Sequence, residues 1–198
     1  MTSVKRAFDV ASAAAGLVLL SPLFAIIAVA IKLDGPGPVF FRQERVGRGG
    51  ALFRIWKFRT MVADAERRGG VLTVGEDPRV TGAGRMLRRY KLDELPQLLN
   101  VIAGEMSLVG PRPEVARYVA LYGPRERPVL DLLPGITDPA SIEFRDEGAL
   151  LAGYPDPEAA YVRDFIPRKA ALNLEYAARA TVASDLGLVL RTVFSLGR

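Results

Sequence analysis

Two adjacent carboxylates, Asp93 and Glu94, stand directly after a run of cations: Arg79, Arg85, Arg88, Arg89 and Lys91. An ionised carboxylate in a cationic setting has two chemical uses. It can attack phosphorus as a nucleophile, or it can hold a metal ion against a phosphate. The plainer alternative is a capping Asp followed by a solvated Glu. The residues that follow favour a helix. Leu95, Leu98, Leu99 and Ile102 recur at helical spacing, Pro96 is tolerated in a first turn, and Gly104 is a stop signal. With Asp93 as N-cap, the helix dipole and the arginines both favour its charged form, so a carboxylate is expected at neutral pH.

Arg112 is the second candidate. Pro111 and Pro113 hold its backbone extended, and a preorganised guanidinium suits a bidentate grip on phosphate. A rigid turn with an incidental arginine is the alternative. Lys57 and Arg59 flank Phe58 at the end of an alternating segment, and Arg145 follows a short apolar stretch.

Composition narrows the chemistry. The 198 residues include no Cys and no His. Thiolate nucleophiles, disulfides, cysteine metal sites and Ser–His triads are therefore excluded. What remains suits a hard cation with oxygen ligands, such as Mg²⁺. A net charge of +5 points to anionic partners: phosphorylated substrates, lipid headgroups or nucleic acid. The basic residues are dispersed and no nucleic-acid-binding motif appears, so nucleic acid is not expected as a partner. Hydrophobic residues make up 49%, enough for a sizeable core.

Several elements must position these residues. Val10 to Ile31 carries no charge and is long enough to cross a hydrocarbon layer of about 30 Å. Ser21-Pro22 lies in its middle. Pro22 cannot donate to the carbonyl of Val18, and the Ser21 hydroxyl can bond back to the preceding turn. Lys5 and Arg6 precede the run, while Lys32, Arg42, Arg45 and Arg48 follow it. Cations at both ends fit a re-entrant helix, broken at Ser21-Pro22, about as well as a kinked spanning one. A buried core helix is the third option. After the Gly35-Pro36-Gly37-Pro38 breaker, strands are predicted over Val39–Val46 and Leu52–Phe58, joined by a glycine turn. That turn lacks the spacing of a phosphate loop.

A short polar helix is predicted from Met61 to Gly69, then a loop from Val71 to Pro78. Thr81 caps a helix ending near Tyr90. Pro113 opens a helix over Glu114–Leu121, and Ser141–Phe144 reads as a strand. Asp156-Pro157 starts another helix, with helix continuing over Ala170–Ala183. Ser184-Asp185 caps the last one, which carries Leu186, Leu190, Val193 and Phe194 on one side. That face can pack on the domain or lie on a membrane surface.

Taken together and in order, these segments resemble one family. They are Lys5-Arg6 with Asp9, the apolar run with Ser21-Pro22, Gly35 to Gln43, Lys57 to Met61, Lys91 to Gln97, Ser107 to Pro113, Pro134 to Thr137, and Asp185-Leu186. The family is the bacterial sugar transferases known as monotopic, or small, phosphoglycosyl transferases. The likeness covers nearly the whole chain. It implies an α+β, mostly helical fold. The expected parts are a re-entrant membrane helix over residues 1–32 and a compact catalytic domain over 33–198, with a β-hairpin and interfacial amphipathic helices.

It also implies a reaction. A phosphosugar passes from a UDP-sugar to a membrane polyprenol phosphate, usually undecaprenyl phosphate, with release of UMP and with Mg²⁺ as cofactor. This would be the first membrane step in making an exopolysaccharide, O-antigen, capsule or glycoprotein glycan. By resemblance, Asp93 is the nucleophile and forms a covalent aspartyl-phosphosugar. Glu94 is its partner in metal binding or proton transfer. Arg112 binds phosphate, with Lys57, Arg59, Arg88 and Arg145 as further cations. Ser21 and Pro22 mark the membrane-helix break. The implied location is the cytoplasmic face of a bacterial inner membrane, with the lipid bilayer as a partner and a homo-oligomer left open. Thr137 to Ser141 departs from the Gly-Leu/Tyr-Trp/Ala-Gln-Val type of sequence common in larger members, so the resemblance names no sugar. A membrane-anchored nucleic-acid-binding module and a non-catalytic scaffold are the rival functions.

Overall fold

A computed structural model describes residues 2–68, 75 and 77–195. The apolar run forms two helices, α1 (Ser3–Leu19) and α2 (Ser21–Leu33), bent by 60° at Leu20. The cause is the predicted one: Pro22 opens α2, and the Ser21 hydroxyl donates 2.8 Å to the carbonyl of Val18. No single helix is long and apolar enough to cross a membrane; the bent pair together has the length and composition. One side of the pair packs inward through Ala13, Ile27 and Ile31. Val18, Leu19, Ile26, Val29 and Leu33 are exposed.

The hairpin follows as β1 (Phe40–Val46) and β2 (Leu52–Phe58), antiparallel, with Phe40 opposite Phe58 and Val46 opposite Leu52. Its turn contains Gly49 and Gly50 at positive φ. Helix α3 (Ala65–Arg68) is shorter than the predicted polar helix, because Met61 pairs with Val80 in an isolated bridge. Gly69 and most of the predicted loop up to Pro78 lie outside the described residues. Helix α4 (Gly82–Arg89) starts at the predicted cap, where Thr81 accepts from the Gly84 amide.

The Asp93 segment differs from prediction. Residues Leu92–Gln97 form a 3₁₀ turn, and the α-helix, α5 (Leu98–Ala103), begins only after it. Lys91 enters the turn at φ 53, so Asp93 lies inside the turn and is not its cap. An α-helix starting at Leu92 would need the amide of residue 96 to bond back to Leu92, and proline has none. Gly104 ends α5 at φ 87, as predicted.

The short strands β3 (Ser107–Val109) and β4 (Gly135–Thr137) pair in parallel. The seam is tight. A Cβ on Gly110 would sit 2.2 Å from the Leu133 carbonyl oxygen, and one on Gly135 would sit 2.1 Å from the Gly110 nitrogen. Between the strands, α6 (Ala116–Val119) starts at Val115 and is shorter than expected. The predicted Ser141–Phe144 strand is wrong. That segment is helix α7 (Pro139–Glu143), capped by Asp138 with Pro139 in the first turn. The reason is the same Asp-Pro start that opens the helix at residue 156: Asp138 caps and Pro139 fills the first turn.

Helices α8 (Glu147–Ala152) and α9 (Pro157–Ala160) lead through a π-turn into α10 (Ile166–Arg179). The predicted continuation to Ala183 fails at Ala180, whose backbone is extended. The last helix, α11 (Val182–Ser195), begins earlier than Ser184-Asp185. Thr181 and Ser184 bond each other's amides reciprocally at its start. Its inward residues are Asp185 and Leu188, while Leu186, Leu190, Val193 and Phe194 are all exposed.

Three apolar clusters hold these parts together. Ala13 of α1 packs with Ile55, Leu98, Val101 and Met106, which fixes α5 between α1 and the hairpin. Ile27 and Ile31 of α2 pack with Phe58 and Leu87. Tyr118, Leu151, Tyr161, Phe165 and Ile166 form the third, around α10. Each fully buried side chain of this size contributes roughly 1.5–3 kcal/mol, so the first two clusters tie the bent pair firmly to the body.

Candidate active site

Five of the residues read from the sequence meet at one place. The hairpin contributes Lys57 from β2, whose alternation turns Phe53, Ile55 and Lys57 inward. Lys57 Nζ lies 2.9 Å from Glu94 Oε1. Arg112 reaches the same carboxylate from the Pro-Arg-Pro loop: its Nη1 donates to Oε2 at 2.9 Å and its Nη2 to Oε1. The Arg112 backbone amide is held 2.8 Å from Asp138 Oδ2. Arg88 arrives from the end of α4, its Nε 2.9 Å from the Thr60 hydroxyl. Gly84 lets α4 approach closely enough for this, since a Cβ there would lie 2.1 Å from the Thr60 carbonyl oxygen.

Asn100 aligns the acidic turn with the hairpin. It is fully buried; its Oδ1 accepts from the Trp56 amide at 2.9 Å, and its Nδ2 donates to the Arg54 carbonyl at 3.0 Å. It thus substitutes for a missing strand along the edge of β2.

The two carboxylates are equally buried, each 7% exposed, yet their electrostatics diverge. Burial works against the charge of Glu94, but Arg112 and Lys57 outweigh it and hold its carboxyl well below the usual range. Asp93 moves the other way. Burial, then the charge of Glu94, raise it, while Lys57, Arg88 and Arg112 only partly offset them. The cap argument from sequence pointed downward, and it fails because Asp93 caps nothing. Burial also lowers Lys57 and Arg88 against the pull of the carboxylates.

Among the described residues, no hydrogen bond ends on the Asp93 carboxylate. It is a buried acceptor with three cations around it and its lone pairs free. Such a group can attack phosphorus or ligate a metal. The donor set fits a hard cation at Asp93, with Glu94 beside it. No three acidic side chains gather anywhere among the described residues, so a metal here would draw further ligands from substrate and water.

Two predicted cations lie elsewhere. Arg59 donates to the carbonyls of Ile31, Gly35 and Pro36, closing the C-terminal end of α2. The loop beside it needs glycine at position 37, whose φ of 121 is a conformation L side chains rarely adopt. Arg145 donates to the carbonyl of Ser195. Ser21 and Pro22 lie at the bend. Sequence reasoning missed Thr60, Asn100 and Asp138. For Asp138 the signal was available, an Asp-Pro helix start; for Asn100 the only hint was a polar residue within an apolar helix face.

The family model for bacterial sugar transferases matches residues 1–198. A Caulobacter vibrioides protein named UDP-glucose:undecaprenyl-phosphate glucose-1-phosphate transferase is 40% identical, over 97% of this chain and 69% of its own length. A Bacillus subtilis putative undecaprenyl-phosphate N-acetylgalactosaminyl 1-phosphate transferase is 47% identical, over 57% of this chain and 63% of its own. The exopolysaccharide production protein ExoY of Sinorhizobium fredii is 34% identical, over 96% and 83%. The chain spans under two thirds of the Bacillus protein and smaller shares, 27% and 39%, of two longer relatives. On the full-length match and the Caulobacter relative together, the chain belongs to the bacterial sugar transferase family.

Proposed function

We propose that the chain transfers a sugar 1-phosphate from a UDP-sugar to undecaprenyl phosphate, with Asp93 as nucleophile. The observation that carries this is the unequal state of the dyad: Glu94 is saturated by Arg112 and Lys57, while Asp93 accepts no hydrogen bond among the described residues. The relatives' names supply the substrate class.

A carboxylate oxygen of Asp93 attacks the sugar-bearing phosphorus. The bond from that phosphorus to the bridging oxygen breaks, and UMP leaves with the oxygen. An aspartyl phosphosugar remains. An oxygen of undecaprenyl phosphate then attacks the same phosphorus, the aspartyl bond breaks, and the carboxylate is restored. A phosphate monoester has its second pKa near about 6, so the acceptor is already ionised and needs no general base. The absence of histidine is consistent with that. Glu94 is too acidic to carry a proton near neutrality. Its role is to hold Arg112 and Lys57 where charge develops on phosphorus. Mg²⁺, held by Asp93 with Glu94 adjacent, would supply further charge neutralisation on the diphosphate.

The bent pair α1–α2 acts as a re-entrant anchor over residues 1–32, with a catalytic domain over 33–198 on the cytoplasmic face of the inner membrane. Its exposed apolar side chains, and those of α11, suit a lipid surface. The deciding experiment incubates the detergent-solubilised protein with a radiolabelled UDP-sugar and Mg²⁺. Label should attach covalently to the wild type and not to Asp93→Asn, and UMP release should stop in the variant. Full labelling and turnover by Asp93→Asn would overturn the assignment.

A further inference from the structure

A cleft opens beside Arg112, lined also by Glu114, Tyr122, Asp138, Lys169 and Asn173. The cleft is open to solvent, and its cavity volume is only about 30 Å³. That has room for one or two waters, or one small substituent, and not for a ring.

Its polar groups fall into two kinds. Asp138 is already committed. It accepts from the Ser141 amide, from the Arg112 amide and, at 3.2 Å, from Asn173 Nδ2. Lys169 is paired with Glu147, and its Nζ lies 3.4 Å from the Tyr161 hydroxyl. Tyr161 in turn donates to Glu114. Two groups remain open. Asn173 is 5% exposed, and with its amide nitrogen fixed on Asp138, its Oδ1 accepts no hydrogen bond among the described residues. The Tyr122 side chain also lines the cleft, and its hydroxyl has no hydrogen-bond partner among the described residues. Burial keeps that hydroxyl protonated, so it can donate.

We propose that this cleft reads one polar substituent, a hydroxyl or an acetamido group, on the sugar of the donor. An oriented acceptor and a free donor match a group that carries both functions. Val129 and Ile166 add apolar surface to the lining. The location fits. Arg112 lines the cleft and its guanidinium also grips Glu94, so the cleft and the carboxylate pair share this residue. Asp138, in the segment that departs from the larger family members, ties the two together by holding both the Arg112 amide and Asn173. The inference rests on the transferase reading above.

The test measures UMP release from UDP-glucose, UDP-galactose, UDP-N-acetylglucosamine and UDP-N-acetylgalactosamine. Wild type is compared with Asn173→Ala and Tyr122→Phe. A lost partner for a buried substituent should change the kcat/KM ratio between the best and worst sugars by roughly tenfold or more. Inhibition by UMP should stay as in the wild type. Tyr122→Phe removes a single oxygen, so it keeps the test decisive if Asn173→Ala fails to fold. Unchanged ratios in the folded variants would overturn the proposal. Weakened UMP inhibition with unchanged ratios would also overturn it, by placing the uridine in the cleft. A wild type that releases no UMP from any of the four would instead overturn the transferase reading, and this proposal with it.

Discussion

Two clusters of buried carboxylates in this chain use opposite balances of charge. Asp93 and Glu94 face three cations, Lys57, Arg88 and Arg112. Asp9 and Asp185 share one, Lys5, which lies 2.5 Å from Asp185 and 3.7 Å from Asp9. The second cluster is sealed. Ser107 donates to Asp9 at 2.7 Å, Tyr176 donates to Asp185 at 2.7 Å, and both carboxylates are almost wholly inaccessible. It joins α1, β3, α10 and α11. The first cluster leaves one carboxylate without a hydrogen bond, in surroundings that favour an incoming anion. Sealed charges that cross-link four elements fix a structure, even though Asp9 Oδ1 lacks a hydrogen bond; an excess of cations around an open acceptor invites a phosphate.

This contrast is broken or sharpened most strongly by exchanging the two kinds of aspartate. Asp93→Asn should lose roughly 10⁴-fold or more in turnover, as for removal of other nucleophiles. Its unfolding midpoint should stay at or above wild type, because burial and Glu94 oppose the charge it removes. Asp185→Asn should do the reverse. Turnover of the folded protein survives, while breaking a buried pair costs about 3–5 kcal/mol, read as a fall of about 2–4 °C in midpoint per kcal/mol. If Asp185→Asn abolished turnover with its midpoint intact, the division would collapse.

Glu94→Gln comes next. With no carboxylate to hold Arg112 and Lys57, kcat should fall about 100-fold, the cost of losing an oriented charge donor. A titration follows. The acid limb of kcat/KM should lie above the ordinary aspartate value of about 3.9, since Asp93 is raised. Raised carboxyls lose folding stability as pH rises from the unfolded toward the folded pKa. The midpoint advantage of Asp93→Asn should therefore vanish below about pH 3.9. Glu94 works in the other direction: its depressed pKa gives stability that is present above about 4.3 and lost as pH falls through the folded value. The smallest effect belongs to Thr60→Val. It removes one anchor of Arg88, about 1 kcal/mol or roughly a fivefold loss in kcat/KM.

Much of the site was legible in the sequence because its parts carry strong local signals. The hairpin followed from alternation and glycines, the helix break from Ser21-Pro22, and Arg112 from its flanking prolines. The errors arose where long-range partners decide. Lys5 and Arg6 read as charges flanking a membrane segment. The structure commits Lys5 to Asp185, and Arg6 caps α5 through the carbonyls of Val101 and Ile102. The direction of the Asp93 shift depends on how deeply Glu94 and the cations are buried around it, which spacing along the chain does not reveal. Arg59 resembled a phosphate ligand because it stands two residues from Lys57, but β2 ends at Phe58, and beyond it Arg59 is taken up by the carbonyls of Ile31, Gly35 and Pro36.

The glycine seam between β3 and β4 also bears on the order in which the molecule assembles. The two strands are parallel and far apart in the chain, so their pairing must wait for a long loop to close. The hairpin itself needs no such wait. Arg112 and Asp138 are brought together when Gly110 meets Gly135, just as Lys57 reaches Glu94 only once a still longer stretch of chain has closed. A bulkier residue at either glycine would therefore leave the hairpin able to form but deprive Arg112 of its backbone anchor on Asp138.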